Sequence, residues 1–203
     1  MNPQRTALVV IDVQNDFCHP DGWAGKAGLD VSGMPTLIER IEKLVAGARA
    51  NGVHVVFVKL VGDASTDSAA WLGDGQRGNI CRKDTWGAEF MHAAPLPGEP
   101  VVAKSRYGAF TRTGLDTILR DWDIDTVAFA GVSTNVCVES SLREAFMRDY
   151  HVVVANDCVA AYRKESHDAT LETVARNFGS VVSSQDLIGA WKRSSAMAGS
   201  RSL

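Results

Sequence analysis

Three residues of very different chemistry stand where runs of apolar residues end. Cys137 closes Gly131-Val132-Ser133-Thr134-Asn135-Val136-Cys137, directly after Val127-Ala128-Phe129-Ala130. That pattern predicts a buried strand that breaks at a glycine, a cap at Ser133 or Thr134, and a helix that begins beside the cysteine. Free N–H groups and the helix dipole at such a start favour an anion. A thiol placed there is expected to ionise more readily than a free one and to act as a nucleophile. Cysteine is also a small apolar residue that is commonly just buried, so the assignment needs partners.

Two partners are available. Ala7-Leu8-Val9-Val10-Ile11 reads as a strand buried on both faces, and it ends in Asp12. A carboxylate abutting a buried strand is costly unless it is paired or performs chemistry. Asp16, four residues on, fits a turn-capping role better. Val101-Val102-Ala103 runs into Lys104, a position that alone would read as a solvated loop cation. In an open parallel sheet, however, the carboxyl ends of the strands share one crevice, which opens where strand order reverses. Carboxylate, ammonium and thiol can therefore meet there despite their separation in sequence.

The elements needed to position them are legible as alternation. Leu37, Ile41, Leu44, Val45 and Ala48 recur at helical spacing and stop at Asn51-Gly52. Residues 53–60 read as the second strand. Leu115, Ile118, Leu119 and Trp122 form a helical stripe before a strand at 126–130, and Val138, Leu142, Ala145 and Phe146 give the helix beside Cys137 its inward face. A fifth strand is expected at 151–155, a helix through Leu171, Val174, Ala175 and Phe178, and a sixth strand at 181–182. The pattern predicts an α/β fold, doubly wound, with a mostly parallel six-stranded sheet and helices on both faces. Residues 1–193 are expected to form one domain and 194–203 a mobile tail. Residues 61–100, rich in Gly, Asp and Pro, are expected to be a functional excursion over the crevice mouth.

With these motifs in place, the chain resembles the isochorismatase-like cysteine hydrolases from about residue 6 to residue 191. The resemblance rests on Asp12-Val13-Gln14-Asn15-Asp16-Phe17, on Lys104 before Arg106-Tyr107, and on Gly131 through Cys137 followed by Val138-Glu139-Ser140. It implies a three-layer, Rossmann-like sandwich and a triad of Asp12, Lys104 and Cys137. It also implies a cis peptide at Val132–Ser133 and an oxyanion hole formed by the Ser133 and Cys137 N–H groups. In the implied reaction Asp12 takes the thiol proton, Cys137 attacks an amide carbonyl, and water clears the thioester. Asp12-based chemistry requires a raised carboxyl pKa, which burial at a strand end can supply.

Within the resemblance, the block from Arg106 to Phe110 and the stretch from Thr134 to Ser140 are most similar to ureidoacrylate and biuret amidohydrolases, which implies a small amide or N-carbamoyl (ureido) substrate. Nicotinamidases and isochorismatases of the same fold are the alternatives. Nicotinamidases carry an Asp-x-His metal motif after the second strand, and Val58-Lys59-Leu60-Val61-Gly62-Asp63 contains no histidine. Isochorismatases do not need a nucleophilic cysteine. Phe17, Trp23, Trp86, Tyr107 and Phe110 are the candidate substrate-binding side chains, although each could simply pack in the core. Gln14 and Asn135 could equally hold loops or touch substrate.

The 203 residues carry a net charge of −3, and with 45% hydrophobic and 22% charged residues the composition is that of an ordinary globular protein. Basic residues form no stripe, so nucleic acid is not expected as a partner, and no apolar run approaches the roughly 20 residues of a membrane span. No leader is read at the N-terminus, which enters the first strand within five residues. Cys18, Cys81, Cys137 and Cys158 lack disulfide or zinc spacings. A cytoplasmic, metal-free and cofactor-free homo-oligomer, dimer or tetramer, is expected. A non-catalytic interaction module and a thiol redox protein are rivals from other classes. The first would be favoured by loss of a triad member, and the second lacks a Cys-x-x-Cys pair.

Overall fold

In the computed structural model, which describes residues 1–73 and 75–199, the first strand β1 (Thr6–Ile11) is wholly buried. Its alternation sends Leu8 and Val10 to one face of the sheet and Ala7, Val9 and Ile11 to the other. A strand with no polar face can only lie in the middle of a sheet covered on both sides. β1 occupies that place. The other strands are β2 (His54–Leu60), β3 (Val101–Lys104), β4 (Thr126–Val132), β5 (His151–Ala160) and β6 (Gly179–Val182). They line up as β3-β2-β1-β4-β5-β6, and every pair is parallel.

Among the described residues, eight α-helices connect and cover the strands. Two are single turns after β1, α1 (Asn15–Cys18) and α2 (Trp23–Lys26), followed by the long α3 (Met34–Ala50). The single turn α4 (Ala69–Leu72) lies in the excursion after β2, and α5 (Leu115–Asp121), α6 (Glu139–Phe146), α7 (Lys164–Asn177) and α8 (Ser184–Gly199) complete the chain. α3 and α8 bury Ile41, Leu44, Leu187 and Trp191 on the Leu8/Val10 face, whereas α5, α6 and α7 bury Leu119, Leu142 and Val174 on the other. The doubly wound α/β expectation holds. β5 runs five residues beyond the expected end because it carries a bulge opposite β4, between Phe129 and Gly131. The expected tail at 194–203 falls partly on α8, whose backbone continues to Gly199, and partly on residues outside those described. Among the described residues no helix is long and apolar enough to cross a membrane.

From β1 the chain steps outward through β2 to β3 and then returns to lay β4 against the other side of β1. Strand order therefore reverses between β1 and β4, and their carboxyl ends diverge into a crevice. Gly131 sits opposite Ile11 there with φ +119°, and a Cβ at that position would lie 2.0 Å from the Ile11 carbonyl oxygen. Only glycine lets the two strands close up beside the residue that follows Ile11, which is Asp12.

Candidate active site

Asp12 leaves β1 in the left-handed region, φ +52°, a conformation that aspartate tolerates better than most residues. Its N–H donates to the Val58 carbonyl at 2.9 Å, so the turn is tied to the end of β2. The side chain is fully buried, and Lys104 Nζ stands 2.7 Å from its Oδ2 with no exposed side-chain surface of its own. Among the described residues neither carboxylate oxygen has a donor in good hydrogen-bond alignment, so the ammonium is what compensates the buried charge. Lys104 Nζ also donates to the Arg106 carbonyl at 3.1 Å, which fixes the ammonium from the loop that follows β3.

Cys137 reaches this pair from the third strand end. After β4 the Val132–Ser133 peptide is cis, at the position the resemblance implies. A π-helical turn (Thr134–Val138) follows, in which the Ser133 carbonyl accepts from Val136 N–H at 3.1 Å and from Val138 N–H at 3.2 Å. α6 then continues the turn. Ser133 precedes the turn, but its hydroxyl does not cap it and instead donates to Asn135 Oδ1 at 3.0 Å. Thr134 is held by His167 Nδ1 at 2.9 Å, and Ser141 Oγ donates to the Cys137 carbonyl at 2.6 Å. The turn that carries the thiol is thus clamped from α7 and from α6. Such π turns recur at functional sites.

The three groups act on one another. Burial raises the Asp12 carboxyl above its ordinary value, while the Lys104 charge works to lower it. Burial alone would depress Lys104, but the attraction of Asp12, with that of Cys137, leaves its pKa raised. Burial and then the Asp12 charge push the Cys137 thiol well above the ordinary range, with Lys104 only partly opposing them. This corrects one expectation. The helix start places Cys137, but burial and the Asp12 charge work against ionisation of its thiol. A buried carboxyl group beside a buried thiol is an arrangement that can pass a proton from sulfur to oxygen when the sulfur attacks an electrophile.

Beside Cys137 lies a cavity of about 210 Å³, below the roughly 300–1,000 Å³ of pockets for drug-sized ligands. Phe17, Trp23 and Tyr107 line it, as do Ser133 and Val136. Trp86 and Phe110 do not. Trp86 is 51% exposed and lines a separate surface cavity with His19 and His92, with its ring against His19. Phe110 is buried in the core of the α5–α7 face, where its N–H donates to Glu144 at 2.9 Å and Arg148 covers its ring. Motif neighbours are not necessarily cavity neighbours, because the loop after Lys104 turns within three residues from the crevice to the core.

The wall residues that sequence reasoning missed are Leu29, Leu60, Trp71, Ile80 and Tyr162. Tyr162 stands two residues after β5, so the strand-end rule could have found it. Trp71 and Ile80 come from the 61–100 excursion, whose place in the cavity wall is set by long-range ties. Asp16 accepts the N–H groups of Trp23 at 3.0 Å and Cys81 at 2.6 Å, and Gly62 pairs with Arg82. Gln14 is a brace: its amide accepts from Leu60 N–H at 2.8 Å and donates to the Leu60 and Ala88 carbonyls, both at 2.9 Å. His54 lies at the far, N-terminal end of β2, stacked on Trp122 at 4.4 Å. Among the described residues no cluster of His, Cys, Asp and Glu could hold a metal ion.

In this fold an acid, a lysine and a cysteine meet at the switch point. A family profile for the isochorismatase domain matches residues 6–186, and the chain belongs to that family of isochorismatase-like cysteine hydrolases. The ureidoacrylate amidohydrolase RutB of Methylobacterium radiotolerans is 36% identical over 197 residues, covering 88% of this chain and 76% of the relative. That of Acinetobacter baylyi is 31% identical over 214 residues, covering 97% and 87%. Among solved structures, a cysteine hydrolase from Pseudomonas syringae pv. phaseolicola has a TM-score of 0.87 at 30% identity, covering 96% of this chain and 95% of that one.

Proposed function

We propose that the protein is a cysteine amidohydrolase that cleaves a small amide or N-carbamoyl (ureido) substrate through a thioester on Cys137. The observation that carries this reading is the Asp12–Lys104 pair, 2.7 Å apart and fully buried, acting on a thiol that opens onto a small cavity. Asp12 accepts the thiol proton as sulfur attacks the carbonyl carbon, and Lys104 balances the anionic character that passes from carboxylate to sulfur. The tetrahedral oxyanion is received by the Ser133 and Cys137 N–H groups. Ser133 N–H has no protein acceptor among the described residues. Asp12 then returns its proton to the leaving nitrogen, and the C–N bond breaks. Water, deprotonated by Asp12, attacks the thioester and restores the thiol, so that protons balance over the cycle.

The relatives' names support a C–N bond in an open-chain ureide, and the cavity volume supports a small substrate. The end of β2 supplies no histidine ligand, which weighs against a metal-binding nicotinamidase. A cytoplasmic, reducing setting suits a chain with four unbridged cysteines. A homo-oligomer belongs to the same reading, and exposed Phe146 and Met147 offer apolar surface for it. A panel of amides and ureides, read by ammonia release with purified protein, tests the proposal. Turnover of at least one member that is lost in Cys137→Ala supports it, and turnover unaffected by that change overturns it.

A further inference from the structure

We infer that the part of the substrate occupying the cavity beside Cys137 is uncharged and largely apolar, so that this enzyme prefers neutral amides or ureides to carboxylate-bearing ones of the ureidoacrylate kind. The inference rests on the proposed hydrolysis at Cys137 and adds the class of group that the acyl or amine side carries.

Among the described residues, none that lines the cavity is charged. Leu29, Leu60, Ile80 and Val136 supply aliphatic wall, and Trp23, Trp71 and Tyr107 supply aromatic wall, with Trp71 and Tyr107 in edge contact at 5.0 Å. The polar groups in the wall are mostly committed. Tyr162 donates its hydroxyl to the Phe17 carbonyl at 3.0 Å, and Ser133 donates to Asn135. The Tyr107 hydroxyl and the indole N–H groups of Trp23 and Trp71 have no protein hydrogen-bond partner among the described residues, so the uncommitted side-chain polar groups of this wall are neutral ones.

Of the neighbouring cations, Lys104 and Arg82 are paired with carboxylates, whereas Arg106 and Arg77 are held by carbonyl oxygens and by the Trp71 ring. Lys104 has no exposed side-chain surface and is paired with Asp12. Arg106 lies over the Trp71 ring at 5.1 Å and donates to the Ser105 carbonyl at 2.6 Å and the Thr66 carbonyl at 3.0 Å. Arg77 lies over the same ring and donates to the Trp71 carbonyl, and Arg82 is paired with Asp67 at 2.8 Å. A carboxylate seated against the aliphatic and aromatic wall, away from the Ser133 and Cys137 N–H groups, would give up its water shell and meet only neutral donors there, an exchange that disfavours it. A neutral ring or alkyl group meets complementary surface.

Matched pairs test this directly: methyl 3-ureidoacrylate against 3-ureidoacrylate, and phenylurea against 4-carboxyphenylurea. The expected result is a kcat/KM for the neutral member higher by roughly 100-fold or more. Calorimetric binding of the same four compounds to the Cys137→Ala protein gives a readout that does not depend on chemistry, with the neutral member expected to bind at least about tenfold more tightly. Preferential binding of the neutral member without turnover by the wild-type protein would defeat the hydrolysis reading and leave this inference standing. Carboxylates that bind or turn over as well as their neutral partners, or a cavity that binds none of the four, would overturn it.

Discussion

The two ends of the same sheet carry the same kind of ion pair with opposite consequences. At the N-terminal edge, Arg5 meets Asp125 at 2.9 Å and Asp123 at 3.3 Å, with every partner at least 42% exposed. At the carboxyl edge, Lys104 meets Asp12 at 2.7 Å with nothing exposed. In water such a pair contributes about 0–1 kcal/mol and perturbs little. Out of water each charge depends on the other, and a third group placed beside them, Cys137, is drawn into the coupling. Both ends pair a basic side chain with aspartate. Burial at a strand-order reversal is what turns an ion pair into a site.

Substitutions along this contrast should scale with it. Cys137→Ala is expected to have the largest effect, lowering kcat by roughly 10⁴-fold or more with the far-UV circular dichroism spectrum unchanged. Residual activity near wild type would show that the carboxyl-edge cluster is structural, like its counterpart at the other end. Asp12→Asn removes the proton acceptor and should lower kcat by about 10²–10⁴-fold. It also strands a buried ammonium, so the midpoint of denaturant unfolding should fall, by about 3–5 kcal/mol when converted to free energy. An Asp12→Asn protein as stable and as active as wild type would erase the distinction between the two pairs.

Lys104→Met sharpens the electrostatic side of the comparison. The thiolate is the form that alkylates, and Lys104 lowers a thiol pKa that burial and Asp12 hold high. Loss of the cation therefore moves the alkylation profile further alkaline. A shift of about 1–3 units, or about 10- to 1,000-fold slower alkylation at one fixed pH, is expected. Lys104→Arg should restore little, because a forked guanidinium does not fit the place of a compact ammonium. An unchanged profile would make Lys104 a bystander. The smallest effect belongs to Arg5→Ala, for which urea unfolding should show a loss under about 1 kcal/mol with kcat untouched. A larger loss there would mean that exposure is not the deciding variable.

The ends of β1, β3 and β4 were legible because Asp12, Lys104 and the Gly131–Cys137 stretch each interrupt an apolar run, and parallel topology brings such interruptions to one edge. The cavity wall was less legible. Trp71 and Ile80 lie in an excursion without periodicity, whose position depends on side-chain ties such as Asp16 to Cys81 N–H that leave no local pattern. Phe110 and Trp86 show the converse. Each sits beside a motif in sequence, yet one turns into the core and the other onto the surface. The direction of the Cys137 shift escaped sequence reading for a related reason: a helix start is visible in a sequence, whereas complete desolvation is a property of everything packed around it.

The central claim is that Cys137 carries the acyl group during turnover. Acid quenching of the enzyme during steady-state hydrolysis of its best amide or ureide, followed by intact and peptide mass spectrometry, tests this most directly. The account predicts a mass increment equal to the acyl group on the peptide containing Cys137, absent before substrate and absent in Cys137→Ala. Sustained turnover with Cys137 unmodified under a quench that preserves a thioester standard, together with activity retained in Cys137→Ala, would contradict it.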